Sequence, residues 1–289
     1  MTRMTDASVD VTPGAPPARA FVGISGWVYP RWRKAFYPKG LRQADELAYA
    51  SERLTSIEVN GSFYSLQRVS SWERWRDAVP EHFVFAVKGP RFVTHIKRLR
   101  DIDAPMANFF ASGVLALDGR LGPVLWQLPP TLPFDEELLD AFLASLPRTR
   151  GRAAALAAGH DERMDGRSWF AIDRDDPAPL RHAVEVRHPS FETDAWTDLL
   201  TRHGIASVVA DTAGRYPRLT TTTAEFAYAR LHGEEELYAS GYDDESLDRW
   251  AVWVRDHLAA GRDAYVYFDN DAKVRAPFDA MALIERLAD

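Results

Sequence analysis

Short runs of β-branched and aromatic residues recur along the chain, and most are followed by a stretch with the helical spacing of apolar residues. Runs of this kind are typical of buried strands, and their alternation with helices is typical of α/β proteins with a parallel sheet. Eight runs fit the description. They predict strands over Phe21–Ser25, Ser56–Asn60, Phe83–Lys88, Pro123–Leu128, Ala183–Arg187, Ala206–Asp211, Phe226–His232 and Asp263–Phe268.

Eight strands alternating with helices over about 270 residues favour an α/β fold, a single (β/α)8 TIM-type barrel. Two connections are irregular. The one between strands 4 and 5 is long and holds either an extra helix or a loop, and the one between strands 6 and 7 is too short and β-branched for a full helix. We assign the barrel domain to residues 20–289. Residues 1–19, rich in Pro, Ala, Thr and Asp, are interpreted as a disordered or loosely attached tail.

Side chains alternate along a strand, so in a barrel one set faces the helices and the other faces the interior. In the second strand the apolar Ile57 and Val59 suit the helix layer, which directs Glu58 and Asn60 inward. The same test predicts a polar interior near the carboxyl ends of the strands, where barrel enzymes hold their active sites. The other inward residues are Ser56, Lys88, Gln127, Glu185, Arg187, Asp211, Arg230, His232, Tyr265, Tyr267 and Asp269.

Acidic and basic side chains are both abundant in this predicted lining. Because burying a charge is costly unless it is paired, stability alone is a poor reason to keep so many of them. We therefore predict a catalytic group in which a carboxylate acts as general acid or base and cations neutralise an anion. Its predicted members are Glu58, Lys88, Glu185, Asp211 and His232. The alternative is a purely structural salt-bridge network that fills the barrel.

The chain carries 35 Lys and Arg against 42 Asp and Glu, a formal net charge of −7. This balance does not favour a protein that coats nucleic acid, so any anion site must be local. The segments 25–38 and 89–100, after the first and third strands, are both basic and aromatic. Together with the inward cations they predict a small anionic ligand or substrate, with nucleic acid as the alternative partner.

The absence of cysteine excludes disulfides, Cys-ligated zinc, iron–sulfur clusters and thiol nucleophiles. A divalent metal would need ligands from His95, His188, His232 and the inward carboxylates. Their spacing has no metal signature and neighbouring Arg residues can satisfy the carboxylates, so the cofactor is left unassigned and a metal is not favoured. No segment approaches the roughly 20 apolar residues of a membrane span, which predicts a cytoplasmic protein without membrane contact. Nothing in the sequence indicates an oligomeric state.

Seven segments and a short Ala-Asp-Thr motif, in series, carry a family resemblance. The segments GISGWVYPRWRKAFYP, IEVNGSFYSL, FAVKGPRFVTH, GPVLWQLPP, VEVRHPSF, YARLHG and YVYFDNDA resemble the YecE-like family, a domain of unknown function numbered seventy-two. The resemblance covers Phe21 to Leu287 and implies a (β/α)8 barrel without supplying an activity. Gly61 and Asp269 depart from the family pattern, where Ser or Thr and Asn are expected. The motif positions predicted to bind substrate are Trp27, Asn60, Tyr64, Gln127, Arg187, His188, Arg230, Asp269 and Asn270.

Three functional hypotheses follow. The first is an enzyme that acts on an anionic substrate, such as a phosphate ester or a sugar acid, by hydrolysis, lyase or isomerase chemistry. The second is a nucleic-acid-binding or endonuclease IV-like DNA-processing protein, based on the basic aromatic segments and on similarity of fold alone. The third is a noncatalytic ligand-binding barrel.

Overall fold

The computed structural model describes residues 17–288. Eight parallel strands form a closed barrel in which each strand pairs with its neighbours in sequence and the last pairs with the first. This confirms the predicted α/β fold with a single TIM-type barrel. The strands are β1 (Ala20–Ser25), β2 (Ser56–Val59), β3 (Val84–Lys88), β4 (Leu121–Gln127), β5 (His182–Glu185), β6 (Ala206–Asp211), β7 (Phe226–Leu231) and β8 (Asp263–Phe268). Most of the predicted tail lies outside the described residues, so its boundary with the domain stays a prediction.

The helices occupy most of the connections between strands, and the last helix follows β8. Within residues 17–288 the α-helices are α1 (Glu46–Ser51), α2 (Gly61–Tyr64), α3 (Val69–Asp77), α4 (Asp103–Ala111), α5 (Glu136–Ser145), α6 (Arg150–Ala157), α7 (Asp194–His203), α8 (Asp244–Ala259) and α9 (Ala276–Ala288). The long connection between β4 and β5 contains the extra helix, α6. Residues 212–225, between β6 and β7, contain no helix, as their β-branched composition predicts. No helix in the described range has the length and apolarity to span a membrane.

Buried apolar side chains form two layers. An inner cluster fills the barrel toward the amino ends of the strands and includes Phe21, Leu125 and Tyr228. An outer cluster fills the space between strands and helices and contains four completely buried tryptophans, Trp32, Trp72, Trp126 and Trp196. The barrel interior is therefore apolar below and polar above, which confines polar chemistry to the carboxyl ends of the strands.

The predicted inward orientation of Asp211 is wrong. Ala206 and Val208 of β6 belong to the inner cluster, so alternation directs Val209 and Asp211 toward the outer layer. There Asp211 lies beside Tyr242, and burial raises the pKa of its carboxyl group. The segment Ala206–Asp211 has apolar residues on both of its faces, so the pattern alone does not decide which face is buried in the barrel.

A capping hydrogen bond begins the longest helix, α8. The carboxylate of Asp243 accepts a hydrogen bond from the backbone N–H of Ser246 at 2.8 Å. We expect Asp243→Ala to lower the free energy of unfolding by about 1 kcal/mol, because this N–H loses its partner. Urea unfolding followed by circular dichroism measures the loss. Asp256→Ala, at the exposed carboxyl end of α8, is the control; an equal loss there would contradict the capping role.

Candidate active site

A cavity of about 600 Å³ opens at the carboxyl ends of the strands. Its size suits a small-molecule ligand, and its position is the one at which barrel enzymes hold their substrates. Six of the residues predicted for the site line it: Asn60, Tyr64, Lys88, Gln127, Arg187 and Asp269. The structure therefore brings these six residues together at one cavity.

Beneath the cavity, the guanidinium of Arg230 binds three carboxylates. Its Nη2 donates to Glu58 Oε1 at 2.8 Å and to Asp269 Oδ2 at 2.9 Å, and its Nη1 donates to Glu185 Oε2 at 2.6 Å. Arg230, Glu58 and Glu185 are completely buried. Burial opposes a charged guanidinium, but the three carboxylates hold the pKa of Arg230 well above its ordinary value. We call Arg230 and these three carboxylates the Arg230 cluster.

Glu58 has no acceptor capacity left for a substrate. Besides the Arg230 Nη2 bond, it accepts hydrogen bonds from Arg230 Nε at 3.0 Å, Ser25 Oγ at 2.9 Å and Tyr228 Oη at 2.7 Å. A carboxylate offers about four lone-pair sites, so these four donors saturate it. Glu58 does not line the cavity. These contacts agree with the alternative in which this residue belongs to a structural network.

Glu185 is also held below the cavity. Its Oε1 accepts hydrogen bonds from Gln127 Nε2 and Arg187 Nε, both at 2.8 Å. Burial alone would raise the pKa of Glu185, but the guanidiniums of Arg187 and Arg230 hold it well below the ordinary value. Glu185 therefore stays ionised at neutral pH, and its bonds position Gln127 and Arg187 at the cavity wall.

His232 is completely buried in the same layer. Its Nε2 lies 3.3 Å from Arg230 Nη1, and because a guanidinium only donates, this nitrogen is the acceptor. The proton of a neutral ring then sits on Nδ1, which lies 3.1 Å from Asp269 Oδ2. Burial would raise the pKa of Asp269, but Arg230 and His232 lower it to about 2. Asp269 is therefore an anion at the edge of the cavity.

Lys88, the last residue of β3, is the buried cation of the cavity. Its side chain is 8% exposed, and its Nζ lies 4.3 Å from the centroid of the Phe63 ring. Among residues 17–288 no carboxylate forms an ion pair with it. Burial and the nearby charge of Arg230 lower the pKa of Lys88 to about 8.

Two aspartates lie on one side of the cavity. Burial and the negative charge of Asp269 raise the pKa of Asp271 to about 6. The pKa of Asp269, at about 2, is displaced in the opposite direction. Neighbouring carboxyl groups whose pKa values are pushed apart are suited to separate acid and base roles. Of these two carboxyl groups, Asp271 is the one that gains and loses a proton near neutral pH.

The described residues hold no group of three His, Asp or Glu side chains arranged as a metal site. The carboxylates under the cavity are instead bonded by Arg230 and Arg187. The cofactor stays unassigned.

Comparison with known proteins identifies the family. Residues 21–289 match the family described as Protein of unknown function DUF72. The chain belongs to the DUF72 family. This match confirms the YecE-like resemblance found in the sequence motifs.

Relatives of known sequence or structure support the same assignment. UPF0759 protein YunF of Bacillus subtilis strain 168 is 22% identical over 293 residues, covering 92% of this chain and 94% of YunF. A DUF72 crystal structure from Thermotoga maritima MSB8 is 25% identical with a TM-score of 0.74, covering 94% of this chain and all of that one. A second, from Enterococcus faecalis V583, is 15% identical with a TM-score of 0.71, covering 93% and 96%. These names state no activity, so the family membership shows the fold and leaves the reaction open.

Besides Arg230, which lies beneath the cavity, three residues predicted to bind substrate do not line the cavity of this DUF72 barrel. Trp27 is buried in the outer cluster. The Nδ1 of His188 accepts a hydrogen bond from the backbone N–H of Ser190 and so caps a short 3₁₀ turn. Asn270 donates to Asp279 Oδ2 at 2.8 Å, which ties the end of β8 to α9. These side chains make packing and capping contacts.

The cavity also includes residues absent from the predicted site: Tyr29, Phe63, Arg91, His95, Tyr238 and Asp271. Five of them lie in the basic aromatic segments or in the family motifs, so the sequence already marks the segments that contain them. Tyr238 comes from the connection between β7 and α8, which has neither signal, yet its hydroxyl lies 3.4 Å from Arg187 Nη2. Burial and the charge of Lys88 lower the pKa of His95 to about 4, so its ring is neutral at pH 7.

Proposed function

We propose that this DUF72 protein is an enzyme that binds a small anionic substrate, such as a phosphate ester or a sugar acid, and acts on it by hydrolase, lyase or isomerase chemistry. The observation that carries the proposal is the group of cations on the cavity wall, Lys88, Arg91 and Arg187. Within residues 17–288 neither Lys88 nor Arg91 has a carboxylate partner, so both are available to a ligand. Charge-assisted hydrogen bonds to an anion are strong in such a partly dehydrated setting.

The two aspartates supply the proton chemistry of the proposal. Asp271, with a pKa of about 6, can donate a proton in its neutral form and accept one when ionised. Asp269 remains ionised, and its Oδ2 lies 3.1 Å from Nδ1 of His232. General acid–base steps of this kind are common to hydrolases, lyases and isomerases, so they support an enzyme without selecting one of the three classes.

The anion site is tested by calorimetric titration with inorganic phosphate and, separately, with D-gluconate. We expect Lys88→Met to weaken binding of the anion that fits by at least about tenfold, because a hydrogen bond to a charged group contributes about 1.5–3 kcal/mol. The matched control is Lys97→Met. Lys97 pairs with Asp101 at 3.7 Å and does not line this cavity, so binding should be unchanged. Equal affinities in the parent and Lys88→Met would contradict the proposal.

Loss of binding in Lys88→Met should not come from unfolding. The substitution removes a buried charge that has no ion pair and replaces it with an apolar side chain of similar length. We therefore expect Lys88→Met to melt at or above the temperature of the parent protein in a thermal scan. A large drop in melting temperature would show that Lys88 is part of the structural network.

Anion affinity should rise as the pH falls from 9 to 5.5. Lys88 gains its positive charge as the pH falls through about 8, and Asp271 loses its negative charge as the pH falls through about 6. Both changes favour an anion in the cavity. Titrations with sulfate, whose own charge is constant over this range, measure the dependence. In Asp271→Asn the change in sulfate affinity near pH 6 should disappear, while the change near pH 8 remains. A sulfate affinity that does not vary with pH in the parent would contradict the roles of both Lys88 and Asp271.

A second candidate function is binding of single-stranded nucleic acid across the cavity rim. Tyr64 is 71% exposed and lines both the cavity and the adjoining groove. The exposed Phe92 and the cations Lys97 and Arg163 line the same groove. Exposed aromatic rings among cations can stack bases and contact phosphates. This candidate predicts salt-dependent binding of a short oligonucleotide, weakened by Tyr64→Ala. Absence of salt-sensitive binding would contradict the nucleic-acid candidate, and binding of a small anion would remain the proposed function of this face.

A further inference from the structure

The residue type at position 88 is informative in this chain. The sequence has 30 arginines and only five lysines, Lys34, Lys39, Lys88, Lys97 and Lys273. The cations that pair with the buried carboxylates beneath the cavity, Arg230 and Arg187, are both arginines. A guanidinium cannot lose its proton in a protein, whereas an amine can, and an amine without its proton is a nucleophile. The buried cation that faces the cavity is a lysine.

The surroundings of Lys88 fit an amine that reacts. Its side chain is almost completely buried, its Nζ lies over the face of Phe63, and no carboxylate of the described residues lies within ion-pair distance of it. Arg230 adds positive charge nearby, and together with burial this lowers the pKa of Lys88 to about 8. A substantial fraction of the amine is then unprotonated at slightly alkaline pH. The amine lines a cavity large enough for a small molecule.

We propose that Lys88 is a catalytic nucleophile that forms an imine with the carbonyl carbon of an anionic aldehyde or ketone. The inference rests on the proposed function and narrows its substrate class to carbonyl compounds that carry a phosphate or carboxylate. Arg187 and Arg91, on the wall of the same cavity, hold the anionic group. This arrangement separates the two tasks, since the guanidiniums bind charge and the amine makes the bond.

The step balances without an outside oxidant or reductant. The lone pair of the unprotonated Nζ forms the N–C bond, and the π electrons of the carbonyl group move to its oxygen, which takes up a proton. Nitrogen then loses a proton, the hydroxyl group takes up a second one and leaves as water, and the C=N bond forms as a protonated imine. Loss of the second proton from nitrogen gives the neutral imine and balances the two protons taken up by oxygen. Asp271, with a pKa of about 6, lines the cavity and is suited to give and take these protons.

Pyridoxal 5′-phosphate, an aldehyde that carries a phosphate, is the probe for this chemistry. The whole protein is mixed with the probe at pH 8, sodium borohydride reduces any imine to a stable secondary amine, and peptide mass spectrometry locates the adduct. We expect Lys88 to be labelled at least about tenfold faster than any other lysine, and inorganic phosphate to slow its labelling. The exposed Lys34, Lys39 and Lys273 are the internal comparison.

Lys88→Arg separates the two roles because it keeps a positive charge and cannot form an imine. We expect this variant to retain phosphate binding and to show no adduct in the cavity, while Lys39→Arg, at an exposed lysine away from the cavity, is labelled at Lys88 like the parent. Labelling of Lys88 no faster than that of the exposed lysines would overturn the imine proposal. If phosphate binding still depends on Lys88 in that case, the proposed anion site stands. If phosphate and D-gluconate both fail to bind, the proposed function fails as well.

Discussion

Replacing Arg230 by methionine is expected to lower the free energy of unfolding at pH 7 by about 3–5 kcal/mol, the usual cost of leaving buried partners of an ion pair uncompensated. Arg230 and its partners Glu58 and Glu185 are completely buried, so water cannot take the place of the lost guanidinium. The third partner, Asp269, is mostly buried as well. Urea unfolding monitored by the fluorescence of the nine tryptophans measures the loss.

The pH dependence of that loss identifies its cause. In the parent protein the pKa of Asp269 is held at about 2, below its ordinary value, so its contribution to stability is complete above about pH 4 and disappears as the pH falls toward 2. Without Arg230 the part of this contribution that its guanidinium supplies is missing at every pH. The difference between the parent and Arg230→Met should therefore shrink on acidification from pH 5 to pH 2.5.

Arg286→Met is the matched control for Arg230. Arg286 bonds two carboxylates, Asp244 at 2.6 Å and Asp248 at 2.7 Å, but these are 94% and 68% exposed. Solvent screens such pairs, so the expected loss is below about 1 kcal/mol. Similar losses in the two variants would show that burial of the Arg230 cluster does not set its contribution to stability.

Gly23→Ala is expected to lower the free energy of unfolding by about 3 kcal/mol, at the upper end of the usual range for overpacking. Gly23 lies in β1 opposite Ser56 of β2, and a Cβ atom there would stand 1.8 Å from the carbonyl oxygen of Ser56. That oxygen belongs to the backbone of the adjacent strand and cannot rotate away. The two strands must separate, which weakens their hydrogen bonds. Thermal and urea unfolding measure the effect.

Gly119→Ala tests the same substitution in open space. A Cβ atom at Gly119 meets no heavy atom within 4 Å. Its effect on the free energy of unfolding should stay within about 0.5 kcal/mol of the parent. A tolerated alanine at position 23 would mean that β1 and β2 can shift apart at little cost.

Strand alternation predicted most of the barrel interior because most strands have apolar residues on one face only. Ile57 and Val59 place Glu58 inward without ambiguity, and the structure confirms this orientation. In β6 the pattern fails, since Val208 and Val209 are equally apolar and face opposite sides. Which of the two valines faces the barrel interior depends on the packing of the neighbouring strands, and the sequence of β6 alone does not determine it.

The sequence could not distinguish residues on the cavity wall from residues in the charged layer below it. Glu58 and Lys88 are both inward and both near the carboxyl ends of their strands, yet Glu58 is saturated by four hydrogen bonds and Lys88 has no ion pair among residues 17–288. The difference arises from distances across the barrel to Arg230 and Tyr228. Tyr238 was beyond prediction for a related reason, because it reaches Arg187 from a connection without regular structure.

The Arg230 cluster forms the floor of the cavity by linking the ends of several strands, whereas the rim of the cavity consists of connections between strands and helices. It links Glu58 of β2, Glu185 of β5 and Arg230 of β7 with Asp269 directly after β8, so the strand ends cannot separate independently. The rim residues Tyr29, Arg91 and Tyr238 come from connections that lie outside this network. Opening of the cavity and changes in its specificity are therefore expected in those connections, and members of the family can diverge in what they bind while the floor stays the same.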